Sequence, residues 1–409
     1  MTKKLASLHD LALFGGSPLF TAPLHVGRPN LVDKDLLLER FNDIFHRLWF
    51  TNNGHYQQEF ERSIRQYTGV KHCFATCNGT VALEIAVRAL GLSGEVIVPA
   101  FTFIATAHAL QWLGIKPVFC DVDAETHNLD PRQVERLIGP RTTGIIGVHL
   151  WGRACDVDAL CAVADKHRLR ILFDSAHAFG CTYKGRKVGH FGDAEVFSFH
   201  ATKFVNSFEG GAVVTNNDDL AEEIGLMRNF GFSGYDQVIR LGINGKMTEV
   251  CAAMGLTSLE GMHEVVAANT RNYQLYREEI ESVPGLTLVP YDSREQCNYQ
   301  YIVVRVDAAQ TLLSRDDLVD ILHEEGVLAR RYFTPGCHRM EPYASDTMAE
   351  KRHLPVTERL CNEILVLPTG LAVTEDNIRA IGQLLRFAVE NAEGILVKIE
   401  EYNAADRKL

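Results

Sequence analysis

Lys203 and Asp174 each follow an apolar run with the length and composition of a buried strand, Ala194-Glu-Val-Phe-Ser-Phe199 before the lysine and Leu169-Arg-Ile-Leu-Phe173 before the aspartate. The lysine lies in Ser198-Phe-His-Ala-Thr-Lys203-Phe-Val-Asn-Ser-Phe-Glu209-Gly210-Gly211, and a further strand-like run, Ala212-Val-Val-Thr215, comes directly after the glycine pair. Most lysines are solvated surface charges, but one set between two core strands is placed to do chemistry. An enclosed amine and a carboxylate at a strand end are the two groups that pyridoxal phosphate asks of a protein. The amine forms a Schiff base, and the anion keeps the pyridine nitrogen protonated so that the ring accepts electrons.

Other residues could complete such a site. Cys77-Asn78-Gly79-Thr80 opens a helical pattern from Val81, and free N–H groups at a helix start attract a phosphate; the same segment also reads as a turn with an N-capping threonine. Ser198 is a second phosphate donor candidate. His177, three residues after Asp174, is a candidate donor to a ring oxygen, and Phe103, in Pro99-Ala-Phe-Thr-Phe103, a candidate to stack on the ring. His177 and Phe103 each also have a plain core reading, and Asp174 taken alone reads more often as an N-cap.

The elements that must position these residues alternate between strand and helix. Strand-like runs at Glu95–Val98, Pro117–Asp121, Gly144–Leu150, Leu169–Phe173, Val196–Phe199 and Ala212–Val214 are separated by helical patterns such as Val81–Leu90 and Val157–Asp165. This order predicts an α/β fold with a mostly parallel sheet covered on both faces, and a ligand beyond the strand C-termini. From Glu249 to about Glu279 a single long helical stretch leads toward a smaller lobe, with a strand at Tyr299–Arg305 and helices near Arg315–Glu325, Pro355–Glu363 and Glu375–Glu390. At 409 residues the chain is divided as a large domain over 1–260, N-terminal segment included, and a smaller C-terminal domain over 261–409.

Composition excludes several classes. A net charge of −11 speaks against general binding to nucleic acid or to an anionic membrane. No apolar run reaches the roughly 20 residues of a membrane helix, and His9 and Asp10 break up the stretch after Lys3-Lys4, so a signal peptide is not expected. Ten scattered cysteines lack a disulfide pattern, and His72, Cys73 and Cys77 lack the second half of a zinc site, so no metal is expected. A cytoplasmic protein is the expectation.

The motifs Asn78-Gly-Thr-Val-Ala-Leu83, Pro99-Ala-Phe-Thr-Phe103, Asp174-Ser-Ala-His-Ala178, Ser198-Phe-His-Ala-Thr-Lys203 and Glu209-Gly-Gly-Ala-Val-Val-Thr215 together resemble the sugar aminotransferases of the DegT/DnrJ/EryC1/StrS family, pyridoxal-phosphate enzymes of fold type I. The resemblance runs from Gly15-Gly16 into the C-terminal lobe. It implies the aspartate aminotransferase-like fold, with Lys203 as the Schiff-base lysine, Asp174 on the pyridine nitrogen, His177 on the ring hydroxyl and Phe103 over the ring. It further implies phosphate contacts from Gly79, Thr80 and Ser198, and from Asn244 of Leu241-Gly-Ile-Asn244-Gly-Lys-Met247 into a neighbouring subunit's site, hence a homodimer with shared active sites.

Lys203 sets the chain apart from the family's 3-dehydratase branch, which carries a histidine there. Phe173 stands where the family usually has a glutamate, and its side chain is expected to face the core. The wording His-Ala-Thr-Lys-x-x-Asn-Ser-x-Glu-Gly-Gly, with Thr51-Asn-Asn-Gly54, is most similar to members that aminate C4 of dTDP-4-keto-6-deoxy-D-glucose with L-glutamate as donor, giving dTDP-4-amino-4,6-dideoxy-D-glucose. C3 aminotransferases, which commonly carry Tyr-Pro-x-Lys, and GDP-linked 4-keto sugar enzymes are the alternatives within the family, and a non-catalytic regulatory member is the alternative outside catalysis. A sugar diphosphate needs cations beside it, and Lys246, Arg330 and Arg331 are the candidates, each equally readable as surface charge.

Overall fold

The computed structural model describes residues 5–345 and 353–406, with side chains to 401. Seven strands form the main sheet: β1 (His72–Thr76), β2 (Glu95–Pro99), β3 (Lys116–Cys120), β4 (Thr142–Val148), β5 (Arg170–Asp174), β6 (Ala194–Ser198) and β7 (Gly211–Thr215). Their order is β1-β7-β6-β5-β4-β2-β3. Strand β7 runs antiparallel to both neighbours, and the remaining pairs are parallel. This is the mostly parallel α/β sheet expected from the alternation of strand and helix.

Both faces of the sheet are covered, which is why its strands are apolar nearly throughout. Along β5 the side chains alternate: Ile171 and Phe173 pack on one face with Phe60, Ile64 and Phe197, while Leu172 packs on the other with Val196 and Val213. Phe173 is fully buried and fills core space, as expected from the sequence. A carboxylate sits beside it all the same. Glu195 is its register partner on β6 and is itself fully buried, accepting hydrogen bonds from Gly189 N at 2.7 Å, from Phe191 N at 2.8 Å and from the Ser175 hydroxyl.

The long helical stretch predicted from Glu249 is two helices, Glu249–Glu260 and Met262–Ile280. The chain breaks at Gly261, where a Cβ would lie 2.6 Å from a Val32 methyl. Beyond it, β8 (Leu286–Leu288), β9 (Ile302–Val306) and β10 (Ile364–Leu367) form an antiparallel sheet with a core of its own. The N-terminal segment, grouped with the large domain on sequence, contributes Leu11 and Leu24 to this second core. Glu325 holds it there, accepting from the N–H groups of Ala12 and Leu19, both at 2.7 Å.

The strand expected over Tyr299–Arg305 starts later, at Ile302. Asn298 is buried and donates to the carbonyls of His177 and Phe179 at 2.9 and 3.1 Å, while Gln300 donates to the His177 carbonyl at 2.6 Å. These bonds to the large domain draw the chain out of the small sheet just before β9.

Strand β7 begins at Gly211, which pairs with both Thr76 and Ser198. A Cβ at Gly211 would stand 2.7 Å from the Asn78 carbonyl and 2.8 Å from Gly79 Cα, so only glycine lets three chain segments meet at this edge. Gly211→Ala is expected to cost about 1–3 kcal/mol by overpacking, measured by urea denaturation. An unchanged midpoint would show that this close approach is not needed.

Candidate active site

The C-terminal edge of the parallel strands opens on a cavity of about 410 Å³ lined by residues of both lobes, among them Gly79, Phe103, Asp174, His177, Lys203 and Tyr301. Lys203 arrives through a tight turn after β6, its N–H bonded to the His200 carbonyl at 2.8 Å. The loop beyond is pinned by buried Asn206, whose side chain donates to the Asn30 carbonyl at 2.9 Å and whose N–H reaches Ser258 Oγ at 3.0 Å. Lys203 Nζ donates to Tyr301 Oη at 3.0 Å. Desolvation lowers the amine to about 8, against partial support for its charge from nearby Tyr332 and Asp174. At pH 7 roughly a tenth of such amines are neutral, far more than for an ordinary lysine, which suits a nucleophile and a base.

Asp174 ends β5 and is 6% exposed. Thr106 Oγ1 donates to one carboxylate oxygen at 2.8 Å and the Ala176 N–H to the other at 3.1 Å. Burial still pushes this carboxyl above the usual range. A cation brought against it would relieve that desolvation, which is what a protonated pyridine nitrogen offers.

His177 is buried, and burial holds the ring neutral, with Lys203 adding to the effect. Its Nδ1 accepts the Trp151 N–H at 3.3 Å, which places the proton on Nε2 and makes that nitrogen a donor. Trp151 adopts a left-handed backbone, φ 61° and ψ 8°, and its indole N–H bonds His127 Nδ1 at 3.1 Å. A tryptophan in that conformation is strained, and here it is held by the ring packing of Phe333 at 5.3 Å and of Phe101 at 6.3 Å.

At the far end of the cavity Asn78, not Thr80, caps the helix Gly79–Ala89, its side chain accepting the Val81 N–H at 2.8 Å. Gly79 and Thr80 thus occupy the first helical turn, where N–H groups have no intrahelical partner. A Cβ at Gly79 would lie 3.1 Å from Ser198 Cβ, so the glycine keeps the cradle open between the helix and β6. Phe103 is 57% exposed and lines the cavity. Amine, buried carboxylate, neutral histidine donor, exposed aromatic ring and helix N-terminus together fit pyridoxal phosphate.

The three expected substrate cations separate. Arg330 lines the cavity, with its guanidinium 5.4 Å from the Tyr332 ring centroid. Arg331 is engaged by Asp316 at 2.6 Å and by Asp320. Lys246 donates to Asn229 Oδ1 at 2.8 Å and covers the Phe230 ring, and neither it nor Arg331 lines the cavity. Asn244 is exposed and bridges to Asn229, also outside this chain's cavity.

Three participants escaped the sequence reading. Thr106 stands one helical turn after Thr102 and carried a weak signal as a polar residue in an apolar segment. Trp151 and Tyr301 carried none, since both read as core aromatics.

Because the Lys203 amine titrates lower in the folded chain than the ordinary 10.5, the unfolded chain binds more protons between about pH 8 and 10.5. Its burial therefore costs most below pH 8, and the cost fades as pH rises through that window. Lys203→Met in the cofactor-free chain is expected to gain on the order of 2 kcal/mol at pH 7, with the gain shrinking by pH 10 in thermal denaturation. A pH-independent difference would contradict the depressed amine.

The family model for DegT/DnrJ/EryC1/StrS aminotransferases matches residues 32–386. A dTDP-4-amino-4,6-dideoxy-D-glucose transaminase of Shigella dysenteriae is 36% identical over 364 residues, covering 89% of this chain and 98% of its own. A GDP-perosamine synthase of Caulobacter vibrioides is 37% identical over 339 residues, covering 81% and 89%. The crystal structure of DesI in the presence of its TDP-sugar product superposes with a TM-score of 0.92 at 47% identity, covering 96% of this chain and all of that one. With a match over most of its length and its lysine and aspartate meeting in one cavity, the chain belongs to the DegT/DnrJ/EryC1/StrS aminotransferase family.

Proposed function

We propose that this aminotransferase uses pyridoxal phosphate to move the amino group of L-glutamate to C4 of dTDP-4-keto-6-deoxy-D-glucose, forming dTDP-4-amino-4,6-dideoxy-D-glucose for deoxyamino sugar biosynthesis. The observation that carries the reading is an enclosed lysine amine facing the same cavity as a buried aspartate, with an open helix N-terminus at its end. Similarity to the Shigella transaminase and to DesI supports the dTDP-linked 4-keto substrate. Comparable identity to the Caulobacter GDP-perosamine synthase keeps a GDP-linked 4-keto sugar as the second reading.

When bound, the cofactor supplies the electron sink for both half-reactions. The protein's share is positional and protonic. Asp174 would hold the pyridine nitrogen charged, His177 Nε2 would donate to the ring oxygen, and Gly79, Thr80 and Ser198 would hold the phosphate. Lys203 Nζ, once freed, takes the proton from the donor's α-carbon in the first half-reaction and delivers one to the sugar carbon in the second, from the side on which it sits. Arg330 is the cation available in the cavity for the diphosphate.

The working unit is a homodimer on this reading. Phe45, Leu48, Trp49 and Phe50 in one stretch, and Leu241 and Ile243 beside Asn244, leave large apolar surfaces exposed that a second copy would cover. All ten cysteines are free thiols, which suits the reducing cytoplasm.

Purified protein given glutamate and dTDP-4-keto-6-deoxy-D-glucose is expected to yield the 4-amino sugar by product NMR, with kcat/KM at least about tenfold above that for the GDP-linked 4-keto sugar. Amination of the GDP sugar alone, or at C3, would replace the assignment. Lys203→Ala is expected to remove both turnover and the yellow colour of the loaded protein.

If Asn244 serves the partner's site, mixing inactive Lys203→Ala and Asn244→Ala chains under conditions that exchange subunits should restore about a quarter of wild-type sites. No regain would refute the shared site.

A further inference from the structure

Tyr301 belongs to the small lobe, yet its hydroxyl reaches the catalytic amine of the large one. Its position is fixed from several directions. The residue is 7% exposed, and its ring packs edge-on against Trp151 with centroids 5.3 Å apart and lies 4.4 Å from the His177 ring. Its carbonyl accepts the Tyr291 hydroxyl at 2.9 Å. A phenol held this firmly offers one oxygen at one place.

We propose that Tyr301 is the positioning residue for the freed lysine: its hydroxyl is the seat that Lys203 Nζ takes whenever the amine is not bonded to cofactor. This rests on the transaminase reading above. A lysine amine on a four-carbon stem loses its aim once released, and without a neutral seat its natural destination is the nearest anion, Asp174. Settling there would neutralise the charge that the pyridine nitrogen requires. The observed bonding avoids that outcome, because the amine lies on Tyr301 while the oxygens of Asp174 are held by Thr106 and Ala176. Burial, with Asp174 adding to it, raises the Tyr301 phenol well above its ordinary range, so the seat stays a neutral hydroxyl. The tyrosine undergoes no covalent or proton change in the cycle; it holds the amine while the amine exchanges the proton.

Two measurements test this. In the cofactor-free full chain, unfolding constants are compared for wild type, Tyr301→Phe, Lys203→Met and the double variant. Phenylalanine keeps the ring contacts, so a merely structural tyrosine gives additive effects. A seated amine gives coupling of about tenfold or more at pH 7, weaker at pH 10 where the amine is neutral. Additivity within about twofold at pH 7 would overturn the proposal.

In the loaded enzyme, the single-turnover reaction of Tyr301→Phe with glutamate is expected to slow about 100-fold, with the glutamate dissociation constant changed less than about threefold. A wild-type rate would equally overturn the assignment. If wild type itself transaminates no donor, the functional reading fails separately, since the stability cycle involves neither cofactor nor substrate.

Discussion

An amine and a carboxylate withdrawn from water into one cavity are the constraint around which this molecule is organised. Neither is comfortable there: burial lowers Lys203 to about 8 and raises Asp174 above the usual carboxyl range. The two are held in place by neutral groups, Tyr301 for the one and Thr106 with the Ala176 N–H for the other. The remaining charge demand is the one a pyridinium cation and a phosphate would satisfy. Cofactor-free stability is given up to keep the site prepared, the arrangement expected where binding and chemistry share one set of groups.

The sheet explains why such a site is possible. Parallel strands present their C-terminal ends along one edge, so β5 and β6 deliver Asp174 and Ser198 to the same edge, with Asp174 beside Val196, and the turn after β6 returns Lys203 to the cavity. Antiparallel β7 closes the sheet toward β1 and brings Gly211 against Asn78 and Gly79, completing the cradle. Behind the edge, the buried Glu195–Ser175 pair, its carboxyl raised to about 7 by desolvation, anchors the residue that follows Asp174. Phe173 thus has a buried carboxyl group, Glu195, directly beside it on the neighbouring strand.

Much of this was legible in the sequence because the candidate site groups sit at ends of strongly patterned elements. Lys203, Asp174, His177, Gly79 and Phe103 each followed a strand-like run, and the structure gathers them in one cavity. Long-range contacts left no such mark. The Tyr301 hydroxyl differs from a core tyrosine only through Asn298 and Gln300, which pull its segment toward the large domain. The backbone of Trp151 is set by surrounding rings, and the salt bridges that occupy Arg331 come from Asp316 and Asp320, fifteen and eleven residues earlier in the chain. The close packing at Gly261, where the helices part, is against Val32, and the N-terminal segment is held by Glu325, both remote in sequence.

The two amide side chains that grip the carbonyl of His177 reach further than local geometry. They belong to the lobe that begins after Gly261, and the histidine they steady belongs to the sheet domain. A recombinant chimera that exchanged C-terminal lobes between relatives would replace Asn298 and Gln300 together, and with them the fastening of His177 to its place in the sheet domain. The setting of this ring is therefore shared between the two lobes and does not belong to the sheet domain alone.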